Sequence, residues 1–182
     1  MRNFLSLVLI LVGFKCYAQT PEEAAQINLQ TANEMKYNAT SVSDNCSYLS
    51  QWGTNLKNLI ISKRYAVVDY LSVAGFQPEE ISDMLMYADS LRDDGDNNYY
   101  DGYVHLCLGD PKMVDGETEI SLAQSFLNLG YYSSSSDRSY AAYNLFYQAN
   151  NHYHDAEPHL ITSTNKYNEA IDVYNEILST PF

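Results

Sequence analysis

The chain has 182 residues, about one domain's worth, with 46% hydrophobic and 13% aromatic residues and ten Lys plus Arg against 23 Asp plus Glu, a formal net charge of −13. That much apolar material excludes a wholly disordered chain. The acidic excess excludes nucleic acid and anionic membrane surfaces as partners, because phosphate contacts need clustered Lys and Arg.

Residues 1–19 read as a secretory signal: Arg2 supplies the charge, an apolar run covers 4–14, and Cys16, Tyr17 and Ala18 precede Gln19. The run of about eleven residues falls short of the roughly 20 that a bilayer-spanning helix needs. Phe14 and Lys15 stand where a lipoprotein signal wants small residues, so a lipid anchor on Cys16 is rejected. Cleavage after Ala18 would leave 19–182 as a single helical domain, secreted or periplasmic, with no membrane span. It would also remove Arg2 and Lys15 and no acid, so the mature chain is more acidic still. Cys46 and Cys107 then remain, and in an oxidising compartment they are expected to pair. Closing that loop of about 60 residues would remove chain entropy worth about 4 kcal/mol. Asn38-Ala39-Thr40 and Asn45-Cys46-Ser47 are glycosylation sequons, relevant only in a eukaryotic source.

Apolar residues recur at three- and four-residue steps and no stretch alternates, so the chain reads as all-α. A first helix is predicted over 21–37, opened by Pro21 with Glu22 and Glu23 suited to the helix dipole. A polar connector is expected at 38–44. The second helix carries Leu49, Trp52, Leu56, Ile60, Val67, Tyr70, Leu71 and Ala74 on one stripe, with a break near Gly53 or Ser62, and ends at Gly75. Pro78, Glu79 and Glu80 open a third helix, whose apolar face reaches Leu91. A loop is expected at 93–98, then a short helix through Tyr103 and Cys107 closed by Gly109, Asp110 and Pro111. Another helix ends at Gly130, and 133–136 form a flexible connector. Asp137 then caps a Tyr-rich helix. Pro158 opens the last helix, with Tyr167, Ala170, Ile171 and Tyr174 facing inward, and Thr180 and Pro181 stop it.

The expectation is therefore about seven helices packed as antiparallel hairpins, either an irregular bundle or a short right-handed stack. Tyr167-xx-Ala170-xxx-Tyr174 resembles the second helix of a tetratricopeptide repeat, where a small residue between two aromatics lets helices approach. The resemblance covers about a dozen residues, and Pro158 lands where that repeat wants a small residue in its first helix.

Two clusters carry metal-binding chemistry. Asp93, Asp94, Asp96 and Asp101 are hard oxygen donors suited to calcium in the expected loop. A standard EF-hand is rejected, because Tyr99 and His105 stand where that motif needs Gly and Glu. His152, His154 and His159, with Asp155 and Glu157 among them, offer imidazole and carboxylate donors of the kind that bind zinc, copper or nickel. Pro158 is expected to interrupt the helix that would align them. His105 stands apart, on a face shared with Tyr and Cys, and reads as a packing histidine.

No nucleophile elbow, zinc-protease motif or phosphate-binding glycine loop is present, so a non-catalytic protein is expected, with no resident cofactor. The 17 tyrosines against one tryptophan remain. Tyr99, Tyr100, Tyr103, Tyr140, Tyr143 and Tyr147 are candidates for an acidic, Tyr-rich surface that docks a basic protein partner, as an inhibitor or immunity-type protein would. The alternative is a secreted calcium or transition-metal binder using the acidic loop or the histidines.

Overall fold

The computed structural model describes residues 20–74 and 79–181, so the signal assigned to 1–19 and the helix signals of Gly75 and Pro78 lie outside the described residues. Among the described residues the chain forms three long helices, α1 (Pro21–Ala74), α2 (Glu79–Asn128) and α3 (Tyr132–Ser179). The described residues are all-α as expected, but the expectation of about seven helices is corrected to three among them. Every connector expected inside them, at 38–44, 93–98 and 133–136, is helical.

The helix ends explain themselves. Thr20 and Glu23 form a reciprocal capping box at the start of α1: Glu23 N donates to Thr20 Oγ1 (3.2 Å) and Thr20 N to Glu23 Oε2 (2.9 Å). Between α2 and α3, Tyr131 N donates to Phe126 O (2.9 Å) and Gly130 N to Leu127 O (3.1 Å), with Gly130 at φ +80°. That is a Schellman closure, whose left-handed residue costs glycine nothing. Asp137 is not a cap, because α3 begins five residues earlier and Ser135 N donates to Tyr131 O. Ser135 and Ser139 are buried, their hydroxyls donating to Ala123 O and Ser135 O (both 2.8 Å).

The chain divides into two compact units, one made of residues 20–42 and 108–151, the other of 43–107 and 152–181. In the first unit the buried positions repeat every seven residues with small side chains: Ala25, Ala32 and Ala39 on α1, Gly109, Gly116 and Ala123 on α2, Ser135, Ala142 and Ala149 on α3. Phe146, Met35, Ala32 and Ala142 form its apolar cluster. The second unit keeps the same period with Cys46, Gly53, Ile60 and Val67 on α1, Ile81, Ala88, Gly95 and Gly102 on α2, and Ala156, Ser163, Ala170 and Ile177 on α3. Seven-residue periodicity is the coiled-coil pattern, in which facing helices interdigitate along a narrow seam.

Those repeats explain why punctuation residues failed to break the helices. A Cβ on Gly95 would lie 2.5 Å from Tyr167 Cε1, one on Gly102 2.8 Å from Leu160 Cγ, and one on Gly116 2.5 Å from Phe146 Cε1. The glycines are seats for large side chains of α3, and contacts from those side chains offset the roughly 1 kcal/mol that glycine costs a helix interior. The stepping from Gly95 and Tyr167 to Gly102 and Leu160 is that of antiparallel helices. Pro111 and Pro158 lie inside α2 and α3 at exposed positions, where water can satisfy the carbonyls they leave unpaired.

Candidate functional site

The acidic stretch is an outer helical face and not a calcium loop. Helical periodicity disperses its carboxylates. Asp93 pairs with Arg92 (2.7 Å), and Asp96 accepts from the Tyr167 hydroxyl (2.6 Å) and pairs with Lys57 (3.0 Å), while Asp94 and Asp101 are exposed. Calcium needs six to eight converging oxygens, which a straight helix does not present, so the loop-type calcium site at Asp93, Asp94, Asp96 and Asp101 is withdrawn.

Three of the six candidate tyrosines, Tyr99, Tyr143 and Tyr147, are partly buried. Tyr99 turns inward, its hydroxyl within hydrogen-bond range of Ser50 Oγ (3.0 Å) and Thr54 Oγ1 (2.9 Å), and its ring stacks on Tyr103 with centroids 6.3 Å apart. Tyr143 and Tyr147 stack on each other and pack against the Phe146 cluster; burial, then the neighbouring Tyr147 and Tyr140, raises the Tyr143 pKa. Tyr100 (67% exposed), Tyr103 (50%) and Tyr140 (64%) remain outward. Tyr100 and Tyr103 belong to the second unit and Tyr140 to the first.

Tyr153, Tyr167 and Tyr174 are fully buried. Tyr174 donates to Asp89 (2.6 Å), which also accepts a bidentate pair from Arg64 (2.8 and 3.0 Å) and a bond from Arg92 (3.3 Å). Burial pushes the Asp89 carboxyl up, but the hydrogen bonds from Arg64 and Tyr174 and the two guanidinium charges outweigh it and hold its pKa below the usual value. Beside this hub Ile61, Arg64, Tyr65 and Arg92 line an open hollow of about 160 Å³.

Cys46 and Cys107 do not form the expected disulfide; both are free thiols, Cys46 buried and Cys107 exposed. Cys46 sits at a seven-residue seam position and its Sγ contacts Tyr153 O (3.3 Å). Burial, then the nearby Glu157 charge, pushes its pKa up to about 11.

The histidines are rearranged most. Because α3 runs through Pro158, His152, Asp155 and His159 fall at i, i+3 and i+7 on one helical stripe, while His154 is exposed on another face. Opposite that stripe stands His105 of α2, its ring centroid 6.0 Å from that of His152 and 6.2 Å from that of His159. One ligand atom each from His105, His152 and Asp155 lies within 4.8 Å of the others. His159 Nδ1 is 3.4 Å from Asn98 Oδ1, which orients its ring beside the trio. His105 Nδ1 is buried without a hydrogen-bond partner. The sequence signal for the stripe was present in the 152/155/159 spacing, but nothing near His105 pointed to a partner helix so far along the chain.

Comparison with known proteins finds no matching family model, no matching curated protein and no matching solved structure. Among the described residues no helix is long and apolar enough to cross a membrane.

Proposed function

We propose that the protein is a secreted or periplasmic, non-catalytic helical protein that docks a basic protein partner on the outer face of α2 in the second unit. The observation that carries this reading is the exposure of Tyr100 and Tyr103 beside the exposed carboxylates Asp93, Asp94 and Asp101 on α2. Tyrosine suits such a role because its rigid ring contributes contact area at low entropic cost and its hydroxyl stays hydrogen-bonded when the ring is covered. The acidic surround steers a basic partner and makes association fall with salt. The secretory part of the reading rests on the charge, apolar run and small residue of 1–19.

A pull-down from the native extracellular or periplasmic fraction tests it. Wild-type bait should recover a basic protein at low salt that is lost at high salt, and bait carrying Tyr100→Ala and Asp101→Asn should not. Recovery of nothing at low salt, or equal recovery by both baits, would count against the docking face. N-terminal sequencing of the exported protein should begin at Gln19, and an intact Met1 would refute cleavage.

A further inference from the structure

The geometry points to a transition-metal site formed by His105 of α2 with His152 and Asp155 of α3, independent of the docking face proposed above. Three observations converge on it. The three side chains come from two helices of one unit and already place one donor atom each within 4.8 Å of one another. A four-coordinate ion with bonds of about 2.0–2.2 Å spaces its ligand atoms about 3.3 Å apart, so each pair has at most about 1.5 Å to close, within the reach of a side-chain rotation. Next, His105 Nδ1 is a buried nitrogen without a partner, whereas most buried polar atoms find one. A bound cation would give this imidazole the electron-pair acceptor that the fold does not supply. Finally, His152 and Asp155 are separated by three residues, so both project from the same side of α3 without any backbone adjustment.

Two imidazoles and a carboxylate favour zinc, copper, nickel or cobalt over calcium or magnesium, which take oxygen ligands. Three protein ligands leave a fourth position open to water or to a group from outside, which distinguishes the site from closed structural zinc centres. Asp155 is exposed and His105 and His152 half-buried, so the site is reachable by an ion from solvent. His159, held against Asn98, lies beside the His105 ring at an interplanar angle of 11°. His154, only two residues from His152, takes no part.

Calorimetric titration of the purified protein with zinc, nickel and calcium salts tests the proposal, read together with the visible spectrum of the cobalt-loaded protein. The expected result is one zinc or nickel ion per chain, calcium binding at least about tenfold weaker, and a cobalt spectrum typical of nitrogen and oxygen donors. His105→Gln and His152→Gln should each weaken zinc by at least about tenfold while His154→Gln leaves it unchanged, with far-UV circular dichroism checking that each variant is folded. Wild-type protein that binds no zinc, nickel or cobalt at millimolar concentration would overturn the assignment without any variant. So would calcium binding as tight as zinc, or zinc binding that survives in His105→Gln and His152→Gln but is lost in His154→Gln.

Discussion

Gly95→Ala inverts the usual effect of that substitution. In an exposed helix interior, alanine in place of glycine stabilises by about 1 kcal/mol because it restricts the unfolded chain and favours helix. At Gly95 the new methyl would lie 2.5 and 2.6 Å from Cε1 and Cδ1 of Tyr167. That ring cannot swing away cheaply: it is fully buried and its hydroxyl is tied to Asp96 at 2.6 Å. Overpacking a well-filled core costs about 1–3 kcal/mol, and a contact this short belongs in the upper half, so the net loss is about 1–2 kcal/mol. For a chain of this size that lowers Tm by about 2–8 °C in a circular dichroism melt. Gly53→Ala is the internal control, since its methyl would meet Tyr99 Cδ2 at 3.1 Å and Tyr99 is only partly buried. Its net effect should stay within about 0.5 kcal/mol. Trimming the ring with Tyr167→Leu should relieve the clash, giving a coupling of about 1 kcal/mol with Gly95→Ala in a double-mutant cycle. A Gly95→Ala protein that melts higher than wild type would refute the seam as described.

Asp89→Asn should destabilise by about 1–2 kcal/mol at neutral pH, because it removes the charge and one of the two acceptor oxygens that Arg64, Arg92 and Tyr174 share, and the arginines retain access to water. The Asp89 carboxyl is held below its usual pKa, so its contribution is present above about pH 4 and is lost as pH falls through its folded value. Acid unfolding of wild type and Asp89→Asn should therefore converge at low pH, and curves that stay parallel would contradict the hub. In alkali, burial and then the bonds to Asp96 and Asp89 keep Tyr167 and Tyr174 un-ionised well above the ordinary tyrosine range. Their stabilisation is full below about pH 10 and lost above it, so absorbance at alkaline pH should show exposed tyrosines ionising first and a late step coincident with unfolding. A thiol reagent at neutral pH should modify Cys107 quickly and Cys46 only on unfolding, since Cys46 is buried with a pKa raised to about 11. Two protected thiols that appear only after reduction would instead restore the disulfide.

The all-α class, the start of α1 at Pro21, the turn at Gly130, the stop near Thr180 and the inward set Tyr167, Ala170 and Tyr174 were legible from periodicity and end signals. The helix count was not. Glycine and proline carry two meanings, and the stronger local one, a helix end, conceals the tertiary one. Gly95, Gly102, Gly109 and Gly116 recur at seven-residue intervals, a spacing that helix ends have no reason to keep and a packing seam does. The same ambiguity makes a continuous α2 read as a calcium loop and splits the stripe of His152, Asp155 and His159 at Pro158. His105 was beyond reach for a different reason: its partners lie on another helix, and register between helices is set by side chains distributed along both. Two of the acids proved structural as well, since Asp89 and Asp96 receive the buried hydroxyls of Tyr174 and Tyr167.

Continuity of α2 through 93–98 is the claim on which the docking face and the alignment of His105 with His152 and Asp155 both depend. Amide hydrogen exchange of the peptide covering those residues tests it most directly. Protection across 93–98 comparable to that of the flanking helix at 85–91 and 102–106 is the predicted result; exchange there at the rate of an unstructured loop would contradict it.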